Sequence, residues 1–369
     1  MGSLSQEERQ ALRDGFRRLL ADRCAEKDVR RTMETASGYD AELWGQIAAM
    51  GLTGLIIDEA HGGAGAGPLE LEAVMEEAGA ALLASPLLSS AVLAAGLIQA
   101  SGDEAAKARL LPSIADGSLI ATAALTGDAG TWTPDGVAVT ASPAGNGWKL
   151  DGVASFVTDG QNAARIIVAA NGPDGLGLFE VEASATETAP LPTFDHTLRL
   201  ARLTFAGAQA QRIETADAWG AVQQAIDLAL VALAGEQAGG AKRVLDFTVD
   251  YAKTRIQFGR PIGGFQAVKH MAADILLESE SATSAARNAA RALANGDPDA
   301  ETAVALAAFA CADAYATVTA QAIQMHGGIA FTWDHPAHLY LRRARAGTQL
   351  FGNSNFYRER YLRSLEAAA

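Results

Sequence analysis

The twelve residues Arg255-Ile256-Gln257-Phe258-Gly259-Arg260-Pro261-Ile262-Gly263-Gly264-Phe265-Gln266 constrain this chain more than any others. A long amphipathic run precedes them and another follows. The first helix is expected to end near Gly259. Pro261 and the Gly263-Gly264 pair force a short turn, and a second helix begins near Phe265. Any fold must therefore hold two long helices joined by very little connecting chain.

Residues 5–25 and 39–51 read as amphipathic helices, with Leu12, Phe16, Leu19 and Leu20 at helical spacing. Gly62 to Pro68 reads as a plain connector, because no strand-to-helix phosphate motif frames it. Helices resume at 69–100 and 103–116. The texture changes near Leu119 to short apolar-biased runs: Val137-Ala138-Val139, Trp148-Lys149-Leu150, Phe156-Val157, Arg165 to Val168, Leu176 to Phe179 and Arg202 to Phe205. Asn146-Gly147 and Asp151-Gly152 read as turns between them. This is a small β domain of about 90 residues. From Ala216 the helical pattern returns and persists.

The 369 residues exceed what one core usually holds, so two or three domains are expected. Hydrophobic content of 49% against 20% charged residues fits a globular chain. The formal net charge of -14 disfavours nucleic-acid or anionic-membrane binding, since both need a basic face. Cys24 and Cys311 make no disulfide framework, and six scattered His residues form no metal-ligand motif. Met1 to Glu8 lacks a basic-then-apolar signal region, and a reducing cytoplasmic location is expected. The apolar run Ala80 to Ala100 carries Ser85, Pro86, Ser89, Ser90 and Gln99, which suits a buried helix pair better than a membrane span.

The Arg255 segment, together with Gln324-Met325-His326-Gly327-Gly328, resembles the acyl-CoA dehydrogenase family, and the likeness in element order covers nearly the full length. It implies a mostly α member of the α+β class: an N-terminal helical domain over 1–118, a middle β barrel over 119–213 and a C-terminal four-helix bundle over 214–369. It also implies FAD, an acyl-CoA substrate, an electron-transfer flavoprotein as acceptor, and a homo- or hetero-oligomer (dimer or tetramer) in which the cofactor reaches a neighbouring subunit. Arg255 matches the phosphate-binding Arg, whose planar fork pairs with two phosphate oxygens at once, and Gln257 and Phe258 stand beside it. Gln324, Gly327 and Gly328 match the second cofactor segment. Phe156-Val157-Thr158 matches the strand that stacks on the flavin, with Thr158 donating to the flavin edge and Thr126 reaching its pyrimidine side. Asn353 and Asn355 fall in a further cofactor-contacting stretch.

The departures bear on chemistry. Where the family has Thr-Glu-Pro-x-Ala-Gly-Ser-Asp, this chain has Leu125-Thr126-Gly127-Asp128-Ala129-Gly130-Thr131. The family's reaction removes a proton alpha to the thioester while a beta hydride passes to flavin. It needs a carboxylate base in a dry pocket, where desolvation raises the pKa. One family slot for that Glu holds Phe351; the other falls at Ala229 and Leu230. One carboxylate stands out nearby: Glu236, the only charge between Leu228 and Ala241, seven residues and about 10.5 Å along the helix from Ala229. It reads either as a structural Glu paired across the bundle or as a displaced catalytic base. Asp334 to His338 resembles the family's acidic-x-Pro turn; a metal there would need a third ligand. Arg342, Arg343 and Arg345 read as a solvated face or as contacts for a coenzyme phosphate.

Three functions are compatible with these residues: a self-sufficient FAD-dependent acyl-CoA dehydrogenase, one subunit of a heteromeric dehydrogenase whose partner supplies the base, or a non-catalytic flavin- or acyl-CoA-binding scaffold. The heteromeric reading draws on a likeness to the Glu-lacking subunits of actinobacterial steroid-side-chain dehydrogenases.

Overall fold

Leu4 opens the region described by this computed structural model, which covers residues 4–145 and 147–368. Asn146, half of one expected turn, and Met1 to Ser3 lie outside it. Six α-helices come first: α1 (Gln6–Arg23), α2 (Glu26–Met33), α3 (Ala41–Ala49), α4 (Pro68–Ala80), α5 (Ala95–Ser101) and α6 (Glu104–Ala115). Local causes set several of the starts. Ser5 and Glu8 form a reciprocal capping box on α1, Asp40 and Asp103 accept the first free N–H groups of α3 and α6, and Pro68 opens α4 where its missing N–H costs nothing. The helix expected over 69–100 is broken after Ala80. Leu82 takes a left-handed backbone (φ 52°), and a π-helical segment over Leu87–Ala94 precedes α5. The left-handed position itself is a Leu and not a Gly, so little in the sequence warns of the break, and α2 is not among the expected helices.

Seven strands follow: β1 (Ala121–Ala124), β2 (Val139–Ala144), β3 (Gly147–Thr158), β4 (Arg165–Gly172), β5 (Gly175–Glu182), β6 (Glu187–Leu191) and β7 (Leu200–Ile213). Strands β2, β3, β7, β5 and β4 pair in that order, and β4 pairs back to β2, so five strands close into a barrel. β1 extends it alongside β4 and β6 alongside β7. Closure encloses a core of Leu150, Ile166, Val168, Phe179, Leu203 and Phe205 and leaves β1 and β6 as edge strands. Asp151-Gly152, expected as a turn, instead runs straight through β3, where Gly152 adopts φ 125°; the register slips between Leu150 and Asp151 because β7 carries the extra residue, Gly207 (φ 68°).

The chain ends in α7 (Ala218–Thr254), a two-stranded hairpin of β8 (Ile256–Gln257) and β9 (Arg260–Pro261), α8 (Gln266–Asn295), α9 (Ala300–His326), α10 (Ala337–Gly347) and α11 (Ser354–Ala368). The first long helix therefore stops at Thr254, before the expected Gly259. Phe258 (φ 51°) and Gly259 (φ 76°) form the hairpin tip, which turns the chain before another helical turn can form.

By contacts the chain forms two units. One comprises Arg31–Glu70 and Ala84–Ala229 with Leu4, and contains the barrel. The other comprises Ser5–Arg30, Leu71–Leu83 and Leu230–Ala369, and is helical. In the helical unit α7 crosses α4 at glycines. A Cβ built on Gly239 would lie 1.8 Å from the Glu76 carbonyl oxygen, one on Gly235 2.7 Å from that of Glu72, and one on Gly79 1.9 Å from that of Glu236. The two backbones touch because no side chain separates them. Helices α7 and α9 contain windows long and apolar enough for a bilayer, yet 67% and 56% of those windows is buried in the fold, as in core helices. A cleft of about 580 Å³ is lined by Leu20, Val29, Leu82, Phe247, Leu339 and Tyr340.

The buried face of α4 is acidic. Arg13 and Arg17 hold Glu77, and Arg13 and Arg287 hold Glu76, at 2.7–3.1 Å. The two guanidinium groups keep the Glu77 carboxyl below its ordinary range, against the opposing effect of its burial. Glu72 is 4% exposed, its Oε1 has no hydrogen-bond partner, and burial with the neighbouring Glu76 charge pushes its pKa up to about 7.

Candidate functional site

In the barrel unit, Thr126, Phe156 and Thr158 gather around the irregular end of β3. The Ser155 N–H donates to the Thr126 carbonyl, which sets the loop after β1 beside the strand. Phe156 has a left-handed backbone (φ 58°), an uncommon state for an aromatic residue, and the β3–β7 register slips there. Its exposed ring lies over Gly130, whose built Cβ would come within 3.2 Å of it. Thr158 is buried, and its Oγ1 has no partner among the described residues. The Thr126 hydroxyl donates to Thr131 O at 2.7 Å, which commits its one proton inside the loop.

A residue not singled out from sequence ties this region together. Asp128 receives Arg202 Nε and Nη2 at 2.9 Å each and accepts a short hydrogen bond from Ser155 Oγ. The Arg202 guanidinium, aided by Ser155, holds its carboxyl down to about 2. Asp128 lies in the stretch that departs from the family pattern, and that departure was the available signal.

In the helical unit, Arg255, Gln257 and Phe258 are exposed at the hairpin, and no carboxylate is paired with the Arg255 side chain among the described residues. One turn earlier, the Tyr251 hydroxyl lies 3.4 Å from His326 O and its ring stacks on the His326 imidazole, so the ends of α7 and α9 are neighbours. Gln324 and Gly328 are exposed, and Gly327 has φ 65°. His326 Nδ1 lies 2.8 Å from Ala322 O, and burial lowers the pKa of His326, His335 and His338. His335 Nδ1 accepts the Ala337 N–H and so shapes the turn into α10. Asn353 Oδ1 accepts the Phe356 N–H at the start of α11, and Asn355 Oδ1 accepts from Arg358.

Ala229, Leu230 and Phe351 are all buried. Phe351 has φ 60°, and its carbonyl accepts a short hydrogen bond from the Tyr357 hydroxyl. Glu236 is 8% exposed and bonds Arg343 Nη1 at 2.7 Å; Arg343 also donates to Leu83 O. Arg343 therefore does not belong to a solvated basic face. It is buried, and it balances the one charge in the apolar stretch of α7. Arg343→Met is expected to cost about 3–5 kcal/mol by leaving a buried carboxylate unpaired, while adding Glu236→Leu should restore most of it. Urea denaturation of the two variants checks this, and equal losses in both would contradict it.

FAD suits these residues on two grounds. A buried hydroxyl at Thr158 lacks a partner, and exposed Arg255 has no carboxylate among the described residues.

Residues 6–118 match the acyl-CoA dehydrogenase N-terminal domain and residues 217–366 the acyl-CoA dehydrogenase C-terminal domain. The chain belongs to the acyl-CoA dehydrogenase family, and is thus an oxidoreductase of a family of FAD-binding flavoproteins. Acyl-CoA dehydrogenase IpdE2 of Mycolicibacterium smegmatis is 34% identical over 347 residues, 94% of this chain and 95% of that protein. The ChsE4-ChsE5 complex from Mycobacterium tuberculosis superimposes with a TM-score of 0.90 at 30% identity, covering 99% of each chain. A single-residue variant of the Tcur3481-Tcur3483 steroid ACAD gives 0.88 at 32% identity over 98% of this chain and 99% of that one.

Proposed function

We propose that this chain is a soluble, cytoplasmic FAD-dependent acyl-CoA dehydrogenase subunit that desaturates an acyl-CoA thioester between its alpha and beta carbons together with a related chain that supplies the base. The observation that carries this is the state of the base positions. Phe351 and Ala229 are buried and apolar, and Glu236 is occupied by Arg343. Glu236 Oε1 is held by the buried Arg343 guanidinium at 2.7 Å, which ties the carboxylate into the bundle instead of leaving it free for a thioester. The structural neighbours described as complexes of two chains support the heteromeric form.

FAD, when bound, accepts the beta hydride. Arg255 and Gln257 would hold the phosphates of a FAD seated in a neighbouring subunit, as the family resemblance implies, and Gln324, Gly327 and Gly328 would offer side chain and backbone at the second cofactor segment. Thr158 would donate to the ring edge, Phe156 would pack on the ring, and Asn353 and Asn355 would line the remaining contact. Electron-transfer flavoprotein is the acceptor in this reading. The three-part division at 118/119 and 213/214 belongs to it as well.

The test is a visible spectrum of the chain, alone and with its Glu-bearing relative, mixed anaerobically with an acyl-CoA panel. Bleaching that requires the second chain and survives Glu236→Gln in this one is expected. Bleaching by this chain alone that Glu236→Gln abolishes would instead identify Glu236 as the base. Flavin that never bleaches in either mixture would favour a binding role.

A further inference from the structure

Phe156 and Thr158, both FAD contacts in the proposed function, lie where β3 is held in an unfavourable conformation. A non-glycine residue with φ near +58° costs free energy, and the surroundings must over-determine it. The structure offers one set of interactions that does so. Ser155, immediately before Phe156, is fixed twice: its N–H by the Thr126 carbonyl at 2.9 Å and its Oγ by the Asp128 carboxylate. Asp128 is fixed in turn by a two-point contact with Arg202 on β7, and β7 is the strand whose register with β3 slips between Ala154 and Val157. Within the same loop, the Gly130 N–H donates to Gly127 O and the Thr126 hydroxyl to Thr131 O, which places Gly130 under the Phe156 ring. Two residues beyond Phe156 lies the unpartnered hydroxyl of Thr158, buried at 3% exposure.

We propose that Asp128, clamped between Arg202 and Ser155, is a positioning residue for the flavin. It locks the bulge at Ser155-Phe156 so that the Phe156 ring and the Thr158 hydroxyl are set before the cofactor arrives. The clamp takes over the ordering of a loop that lacks the family's Glu-Pro and Ser-Asp residues. Asp128 is itself exposed, and its charge is satisfied by Arg202, so it acts through the strand and not by touching the ring. Preorganisation of this kind is read as affinity and ring environment, because a loose strand must be ordered at the moment of binding.

This inference rests on FAD binding by the wild-type chain. The experiment uses the full chain, stripped of flavin and reconstituted with FAD, in four forms: wild type, Asp128→Asn, Ser155→Ala and Glu182→Gln. The last removes another exposed carboxylate of the barrel, ion-paired with Arg165 at 2.9 Å. FAD affinity is read by fluorescence titration, the ring environment by the fine structure of the bound flavin spectrum, and the fold by circular dichroism. Asp128→Asn is expected to weaken FAD about tenfold, the order seen when the supporting partner of a ligand-holding group is lost, and to blur the resolved flavin band. Ser155→Ala, which removes one hydrogen bond, should move both readouts in the same direction, and Glu182→Gln should move neither. A merely structural role would lower thermal stability without changing the spectrum of the flavin that remains bound, and that result overturns the proposal. So does wild-type affinity and spectrum in both Asp128→Asn and Ser155→Ala. Failure of the wild type to take up FAD would overturn the functional reading, and this inference with it.

Discussion

Gly239→Ala is expected to destabilise the helical unit by more than about 3 kcal/mol, or to prevent its folding. The added methyl carbon would lie 1.8 Å from the carbonyl oxygen of Glu76, 2.6 Å from its carbonyl carbon and 2.9 Å from its Cα. All three are backbone atoms of α4, so no rotamer change relieves the overlap; the helices must move apart. Moving apart would loosen the contacts of Gly235 with Glu72 and of Gly79 with Glu236 along the same crossing. The control is Gly45→Ala in α3, where nothing lies within 4 Å of the new methyl. There the usual helical preference for Ala should appear as a gain of about 0.5–1 kcal/mol. Urea unfolding followed by circular dichroism separates the two, and similar midpoints for both variants would refute the close crossing.

Glu72→Gln should stabilise the protein at alkaline pH and leave it almost unchanged at acid pH. Burial and charged groups on three helices set the proton affinity of Glu72: Glu76 on its own helix, Arg287 on α8, and Arg13 and Arg9 on α1. Burial outweighs the cations, so the folded-state pKa of about 7 stands above the ordinary 4.5. The sign follows from linkage. The folded chain binds the proton more tightly than the unfolded one, so this stabilisation is complete below pH 4.5. It fades as pH rises and is gone once pH passes well beyond 7. The full swing is about 3 kcal/mol. Glutamine cannot ionise and removes the loss. Plots of unfolding free energy against pH should therefore meet near pH 4 and diverge towards pH 8.5, with the variant above. Parallel curves would show that folding leaves the proton affinity of Glu72 unchanged.

The order of helices, strands and helices was legible in the sequence, and so were the two motif segments, because periodicity and Gly-Pro punctuation are local signals. The losses fell where the decisive partner is distant. Ala121–Ala124 carries little β preference, and becomes a strand because β4 pairs with it in parallel. Pro190 hides β6, tolerable only because that strand sits at an edge. Asp151-Gly152 has the composition of a turn, yet β7 pairs with it and keeps it in the strand, with the extra residue of the bulge at Gly207 on β7. Arg343 looked solvated among its neighbours; its partner Glu236 is 107 positions away. The Asp128–Arg202 contact spans 74 positions, beyond any spacing rule. Phe156 and Phe351 share a left-handed backbone that their residue type argues against, so only coordinates reveal it.

The helical unit is assembled from three separate stretches of chain, Ser5–Arg30, Leu71–Leu83 and Leu230–Ala369. On the ribosome this becomes a matter of timing. Helix α1 emerges first and can find Glu77 once α4 follows. Phe247, Leu339 and Tyr340, which line the same cleft as Leu20 and Val29, are made some 200 residues or more after α1. At about 5–20 residues per second, the apolar side of α1 waits roughly 10 to 40 s for the first of them. During that interval the nascent chain is a natural client for whatever shields exposed leucines in the cell, and the acidic surface it carries is its own protection against neighbours of the same kind.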